Sequence, residues 1–302
     1  MLYDGSGACH MAAETFVRQS LISCYNKERM DEMSYQIKPW QDLTICDDYM
    51  FKLIMRRKHI CKRMLEKILQ VPIRDITYPE EEKNVKMQYD SKGIRLDVFV
   101  ADDENTVYDI EMQVRKPEDD GLYRRTRYYQ SMIDADLLER GADYDELNSS
   151  YVIFICPFEP FDRGRHIYTF KNLCLEDKDL ELGDGATKIF LNAVGTADDV
   201  TPDVKCFLDY VNGVLSNDDF VQEIDREIIA VKKLENERVR YMTYAMKMQE
   251  ERKEGREEGR EEMQREMAIE MLRDKKPIQE IMRYTKLTEA KIQQIAQENK
   301  LL

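Results

Sequence analysis

An unbroken apolar run, YVIFIC at residues 151–156, constrains the fold more than any other part of the chain. A strand with one solvated face alternates apolar and polar residues, whereas a strand buried on both faces is continuously apolar. The run also has the length of a strand and is too short for a typical helix. It therefore predicts a strand in the interior of a sheet.

A helical pattern precedes this run. From Asp47 to Leu69 apolar residues recur every three to four positions, and a Val-Pro pair then ends the pattern. The spacing predicts one amphipathic helix, or two helices broken near Arg57. Asp47 or Asp48 lies at the N-terminus of this segment, where a carboxylate is by default an N-cap or a partner of the helix dipole.

Between the helical segment and the apolar run the periodicity changes to two. Alternation predicts three strands, joined by turn-like stretches, at residues 84–89, 94–100 and 106–114. We interpret these strands as a β-meander. Helical spacing returns over residues 119–140 and ends at a glycine, and short strands are expected near 167–170 and 188–193.

Two acids in this meander are candidates for chemistry. Alternation places Asp97 on the polar face of its strand, and places Glu111 on the polar face of the next strand with Asp109 and Gln113. If the strands pair as a hairpin, Asp97 and Glu111 converge at one end of the sheet. Paired carboxylates suit Mg²⁺, which retains waters and is completed by substrate phosphate. The alternative is a solvated hairpin face with ordinary charges, in which Asp109 is an obvious decoy for Glu111.

The overall charge limits the partners. The 302-residue chain has 46 Lys and Arg against 60 Asp and Glu, a net charge of −14. This balance excludes the coating of nucleic acid or anionic membrane by bulk electrostatics, so any contact with nucleic acid is local. No apolar run approaches the roughly 20 residues of a membrane span, and no signal-peptide pattern is present. We expect a cytoplasmic protein without membrane contact.

The C-terminal third is expected to be helical. Between residues 249 and 266 it consists largely of Glu, Arg and Lys, with Gly255 and Gly259 in the same register. Ion pairs at helical spacing contribute a few tenths of a kcal/mol each, whereas each glycine costs about 1 kcal/mol, which predicts a marginal, mobile spacer. Two short helices with Thr288 as N-cap follow, in a helix-turn-helix-like outline.

Four phrases and the Glu-Gly-Arg-rich tail carry a family resemblance. The phrases are LTICDDYMFKLIM (43–55), RLDVFVADDENTVYDIEMQ (95–113), LYRRTRYYQSMID (122–134) and YVIFICPFEPFDRGRHIYTF (151–170). In this order they resemble the PD-(D/E)XK nuclease family transposases, relatives of the recombination-promoting nucleases, over about residues 40–265. The acid motif alone is weakly specific, but the ordered set makes chance similarity improbable.

The resemblance implies an α/β fold with a restriction-endonuclease-like PD-(D/E)XK core, in which helices flank a mixed sheet, and an α-helical C-terminal extension. It also implies a DNA endonuclease that depends on Mg²⁺ or Mn²⁺. Asp97 matches the motif Asp, Glu111 matches the acid of the (D/E)xK signature, and Asp48 matches an acid that helps to bind metal. Gln113 stands where Lys is expected. An amide can orient a neighbouring group by hydrogen bonds, but it supplies no positive charge.

The helix after the motif offers phosphate ligands. Arg124, Arg127 and Tyr128 occupy one helical stripe, and Gln130 lies near it. Solvated or acid-paired arginines are the alternative interpretation of this stripe.

The domains follow from these patterns: a leader at 1–35, a nuclease-like domain at 36–234, and a charged helical arm at 235–302 that ends in the short hairpin. We expect the arm to form a homo-oligomer that places two cores on one DNA duplex.

Two functions of different classes are consistent with the sequence. The first is a metal-dependent DNA endonuclease of the transposase-like group. The second is a catalytically weakened protein of the same fold that acts as a binding or assembly module. The intact acids Asp97 and Glu111 favour the enzyme, whereas Gln113 and the acidic net charge favour the module. A transposase of the DDE type requires a third acid after the helix, and the chain offers no clear one.

Overall fold

The computed structural model describes residues 37–78, 84–85, 94–117, 121–139 and 141–301. The proposed leader at 1–35 lies outside these residues. Contacts between Cα atoms separate a unit of residues Pro39–Arg238 from a second unit that includes Val239–Leu302. The first unit contains the sheets, and the described part of the second is helical.

The described strands fall into two sheets. They are β1 (Ile76–Thr77), β2 (Asn84–Val85), β3 (Ile94–Arg95), β4 (Val98–Asp102), β5 (Val107–Met112), β6 (Ser150–Cys156), β7 (Ile167–Phe170) and β8 (Ala186–Asn192). The larger sheet has the order β1-β4-β5-β6-β8-β7, and β2 pairs only with β3. The pairs β5/β6 and β6/β8 are parallel, and the other pairs of the larger sheet are antiparallel. The sheet is therefore mixed, as expected.

The described helices flank and follow this sheet. They are α1 (Asp48–Met55), α2 (Lys58–Leu69), α3 (Gly121–Leu137), α4 (Pro202–Val211), α5 (Asp219–Lys232), α6 (Glu235–Arg273), α7 (Ile278–Thr285) and α8 (Glu289–Glu298), with short 3-10 turns at Trp40–Asp42 and Tyr144–Glu146. None of the helices within the described ranges combines the length and apolar character that a bilayer crossing requires.

The apolar run forms the interior strand that its composition predicts. β6 lies between β5 and β8, and its residues from Val152 to Cys156 are fully buried. On the face covered by α3, Phe154 stacks on Phe190 of β8 at 5.5 Å between ring centroids. Leu122, Met132 and Ile133 of α3 belong to the same apolar cluster. This cluster fixes α3 against the centre of the sheet.

The single meander predicted for residues 84–114 is wrong. The second predicted strand is divided between β3, which pairs with β2 in a separate sheet, and β4, which joins the large sheet beside β5; residues 86–89 of the first predicted strand lie outside the described residues. The expected turn at 91–93 lies outside the described residues. Leu96 and Asp97 interrupt the second predicted strand, because the chain bends there between the two sheets. β1, which pairs with the end of β4, was not predicted, since two residues carry no periodicity.

The solvated hairpin face, which the sequence left open as the alternative to a metal site, is not found over β5. All six residues of β5 are buried, including Asp109 and Glu111. Tertiary packing buries β5, because the strand has a neighbour on each side and its Asp109 face lies under α3. Alternation in the sequence therefore marks the two faces of β5 but does not report which of them reaches solvent.

The N-terminal helical segment is broken, as one of the two sequence interpretations predicts. α1 ends at Met55, and Arg57 adopts an extended backbone (φ −76°, ψ 101°) as N-cap of α2. The core side of α1 consists of Met50, Phe51, Ile54 and Met55, which are fully buried. Burial of this side leaves the Asp48 and Lys52 positions on another side of the helix.

The described part of the second unit consists of a long helix and a packed helical hairpin. α6 runs through Gly255 and Gly259 without interruption, so the predicted helical spacer is a helix, and its marginal stability stays a prediction. α7 and α8 form the predicted hairpin, with Thr288 Oγ1 accepting the backbone N–H of Lys291. Ile281, Ile292 and Ile295 are buried with Ala268 of α6 in a small core. These apolar side chains of the hairpin are thus packed within this unit.

Candidate nuclease active site

Helix α1 supplies a cation and an acid to the site. Asp48 and Lys52 lie one turn apart, and Lys52 Nζ is 2.9 Å from Asp48 Oδ1 and 2.8 Å from Asp97 Oδ1. Burial alone lowers the pKa of Lys52, but Asp97 and Asp48 outweigh burial and raise that pKa above its ordinary value. Lys52 therefore remains charged, and its ammonium bridges two carboxylates.

Asp97 occupies the bend just before β4. Its backbone N–H donates to Glu111 Oε1 at 3.0 Å, which joins the bend to the end of β5. Burial, followed by repulsion from Asp48, raises the pKa of Asp97 to about 6, and Lys52 opposes this rise. The antiparallel pairing of β4 with β5 begins at Val98 and Ile110, the residues next to Asp97 and Glu111, so the two acids lie side by side.

Glu111 is the most strongly enclosed of the predicted metal ligands. Its residue exposure is 5%. Burial, followed by repulsion from Asp97, raises the pKa of Glu111 to about 8. Two acids in such surroundings favour a bound cation, because a divalent ion removes both the repulsion and the cost of burying charge.

Asp109, which could be mistaken for Glu111 in the sequence, is a buried carboxyl group close to the site. It is fully buried, and neither carboxyl oxygen forms a hydrogen bond with a described residue. Its cross-strand neighbours are Phe99 and Val152, which are apolar. Burial, and then Glu111 and Asp97, raise the pKa of Asp109 well above its ordinary value. The alternative interpretation of this strand face as solvated and ordinarily charged is therefore wrong.

Gln113 directly follows β5 and meets an arginine from α3. Arg125 donates from a terminal guanidinium nitrogen to Gln113 Oε1, and the same nitrogen is 3.9 Å from Glu111 Oε2. The Arg125 guanidinium also lies over the Phe154 ring, 4.8 Å from its centroid. The sequence indicates Arg125 as part of a local basic patch with Arg124 and Arg127, but it does not link Arg125 to Glu111 or Gln113. The available signal was its spacing, since Arg125 falls between the core-facing Leu122 and the partly buried Tyr129.

The other predicted phosphate ligands lie elsewhere on α3. Arg124 and Arg127 are exposed, and Tyr128 is partly buried against the apolar cluster. Gln130 is buried and donates to Ser150 Oγ of β6 and, at 3.4 Å, to Asp134. The structure thus directs Gln130 to the sheet, away from phosphate, because its position coincides with the core-facing stripe of the helix.

The donor set suits a hard divalent cation but is not fully assembled. Among the described residues, no three acidic, histidine or cysteine side chains are close enough to form a ready metal site. Asp48, Asp97 and Glu111 supply carboxylate oxygens, the ligand type that Mg²⁺ prefers. Lys52 already provides positive charge between Asp48 and Asp97. Carboxylates of the type that Mg²⁺ prefers are therefore present, and Lys52 neutralises part of the charge of Asp48 and Asp97.

Comparison with known families identifies this arrangement. The sequence model of the PD-(D/E)XK nuclease family transposases matches residues 45–196, about half of the chain. The chain belongs to this family. The match includes α1, the sheet and α3, and therefore every residue of the site described above. Comparisons with curated proteins and with solved structures gave no significant match.

Family membership fixes the coarse features of the protein. The six-stranded mixed sheet with flanking helices is the α/β core of a PD-(D/E)XK protein, followed here by a helical C-terminus. Membership supports a nuclease-type function and implies a DNA substrate. PD-(D/E)XK nucleases generally use divalent metal ions, and the hard oxygen donors found here agree with that requirement.

Proposed function

We propose that this protein is a DNA endonuclease of the transposase-like, recombination-promoting group, which hydrolyses phosphodiester bonds with Mg²⁺ or Mn²⁺. The observation that carries the proposal is the junction of Asp97 and Glu111, where a backbone hydrogen bond of 3.0 Å holds a partly buried acid beside a buried one. Burial, and then repulsion from a neighbouring carboxylate, raises both pKa values, which is the setting in which a bound cation is favourable.

Asp97 and Glu111 would bind the cation through carboxylate oxygens, and Asp48 would contribute further negative charge. When bound, the cation polarises the scissile phosphate and lowers the pKa of an attacking water. Lys52 stabilises the acids in the metal-free protein, because its ammonium already contacts Asp48 and Asp97. Gln113 remains a candidate catalytic position through its hydrogen bonds to Arg125 and to the backbone oxygen of Arg115.

DNA would be held by a local basic surface on α3. Arg124 and Arg127 are exposed there, and Tyr128 lies beside them on the same helix. Because the chain has a net charge of −14, DNA affinity would be weak and would fall steeply as salt screens these few contacts. Gln130 is left out of this surface, since its amide is engaged with Ser150.

Plasmid cleavage tests the proposal. We expect supercoiled plasmid to be nicked or linearised with Mg²⁺ or Mn²⁺, and to remain intact with EDTA. Asp97→Asn should abolish cleavage because it removes a carboxylate from the cation site. Asp145→Asn, a matched change at an exposed acid on a 3-10 turn, should leave the rate unchanged. Equal rates in wild type and Asp97→Asn would contradict the assignment.

The second candidate is a binding or assembly module that has lost catalysis. Gln113 in place of the motif lysine is the observation that favours it. In that case the wild type would bind DNA in the presence of divalent cation without cutting it under any condition of the assay.

A further inference from the structure

The missing motif lysine leaves a chemical requirement unmet. A cation beside the attacked phosphate stabilises the negative charge that develops in the transition state, whereas the Gln113 amide has no charge. The structure contains a cation at this location, since the Arg125 guanidinium is bonded to Gln113 Oε1 and lies 3.9 Å from Glu111 Oε2. The charge therefore comes from α3 and not from the strand.

Several contacts hold the guanidinium in place. Gln113 Nε2 donates to the backbone oxygen of Arg115 at 2.6 Å, which directs the amide oxygen towards Arg125. Phe154 and Tyr129 lie under the guanidinium at 4.8 and 5.4 Å from the ring centroids, distances at which cation–π attraction is favourable. The side chain retains 34% exposure, so it is held on one side and reaches solvent on another.

Lys52 is the other enclosed cation at this site, but its charge is already neutralised. Its ammonium contacts Asp97 and Asp48 at 2.8 and 2.9 Å. Arg125, in contrast, has its direct hydrogen bond to a neutral amide, its contact with Glu111 is longer at 3.9 Å, and its side chain is 34% exposed. Arg125 is therefore the cation with capacity for a further anionic partner.

We propose, on the basis of the endonuclease function above, that Arg125 replaces the motif lysine and contacts the scissile phosphate, while Gln113 positions Arg125. A guanidinium matches the geometry of phosphate oxygens and binds two of them at once. It stays protonated throughout, so Arg125 stabilises charge on the phosphate and does not accept the proton of the attacking water.

The proposal is tested by moving the positive charge from position 125 to position 113 and measuring single-turnover cleavage. Arg125→Gln should lower the rate by about 100-fold or more, the usual effect of removing one transition-state donor. Gln113→Lys should also lower the rate, because its ammonium would face the Arg125 guanidinium. The double variant Gln113→Lys/Arg125→Gln should cleave at least tenfold faster than Arg125→Gln, since it restores one cation at this position. Arg74→Gln, at a side chain with 84% exposure, is the matched control and should cleave like wild type.

DNA binding in Ca²⁺ provides a readout that does not depend on cleavage. If Arg125 contacts a phosphate, Arg125→Gln should reduce the slope of log Kd against log salt by about 0.9, and Arg74→Gln should not change it. An unchanged slope would overturn the proposal for Arg125, whether or not the wild type cleaves. Absence of cleavage by the wild type would refute the endonuclease function, which is a separate result. If the wild type cleaves, wild-type rates in Arg125→Gln, or no gain in the double variant, would overturn the role of Arg125 alone. If Arg125→Gln fails to fold, the double variant is compared with wild type: it keeps a cation here and should retain the wild-type salt slope, and a slope lower by about 0.9 would overturn the proposal.

Discussion

Glu111→Gln should stabilise the metal-free protein at alkaline pH. Burial and Asp97 raise the pKa of Glu111 from 4.5 to about 8 in the folded protein. Each pKa unit corresponds to about 1.4 kcal/mol, so ionised Glu111 destabilises the folded state by about 5 kcal/mol. The glutamine cannot ionise, and its side-chain oxygen can still accept the Asp97 N–H bond seen at 3.0 Å.

The sign of the pH dependence follows from the raised pKa. Below about pH 4.5 the carboxyl is protonated in both folded and unfolded states, so the wild type and Glu111→Gln should have similar stability. Between about pH 4.5 and 8 the unfolded wild type ionises Glu111 while the folded protein keeps it protonated, so the wild type loses stability progressively, and the loss is complete above about pH 8. Asp97 acts in the same direction between 3.8 and about 6, in both proteins.

Urea unfolding in EDTA at about pH 5, 7 and 9 measures this effect. The difference in the free energy of unfolding should grow from near zero to several kcal/mol in favour of the variant. Glu104→Gln, in the exposed turn after β4, should differ from wild type by less than about 0.5 kcal/mol at every pH. A pH-independent difference at Glu111 would refute the view that this carboxylate is buried at an energetic cost. Added Mn²⁺ should restore wild-type stability at pH 9 and leave the variant nearly unchanged.

Three further predictions concern the rest of the chain. Combined Arg124→Gln and Arg127→Gln should lower the slope of log Kd against log salt by up to about 1.8 if both side chains contact phosphate, and an unchanged slope would place the DNA elsewhere. Alanine at Gly255 or Gly259, where an added Cβ meets no atom within 4 Å, should raise helix stability by about 1 kcal/mol each, and unchanged far-UV circular dichroism melts would refute this. Truncation after Arg238, at the boundary of the two units, should preserve the melting temperature of the first unit and convert any homo-oligomer to a monomer. Light scattering that shows an unchanged oligomer would exclude the C-terminal arm as the interface.

The sequence predicts those parts of the fold that local pattern determines. The apolar run at 151–156 specifies a buried strand because its six residues carry their own burial signal. The mixed sheet and the family were also predicted, since ordered phrases along the chain carry the resemblance, and both are confirmed. The break near Arg57 was one of two open alternatives, and only the structure decides between them.

The remaining features depend on tertiary packing, which local pattern does not report. Asp109 appears solvated in an alternating strand, but it becomes buried when α3 covers the sheet. Arg125 and Lys52 reach the acids from two different helices, so no spacing in the sequence links them to Asp97 or Glu111. From sequence alone, Gln113→Lys is expected to preserve or raise activity. The contact with Arg125 leads us to predict a lower rate instead.

The proposed cation site is tested most directly by crystals soaked in Mn²⁺ and measured for anomalous scattering. We predict a peak in direct contact with carboxylate oxygens of both Asp97 and Glu111, the two side chains joined through the Asp97 backbone N–H, and no such peak in crystals of Glu111→Gln. A protein that cleaves DNA with Mn²⁺ but places the ion away from these two carboxylates would contradict the assignment of the site.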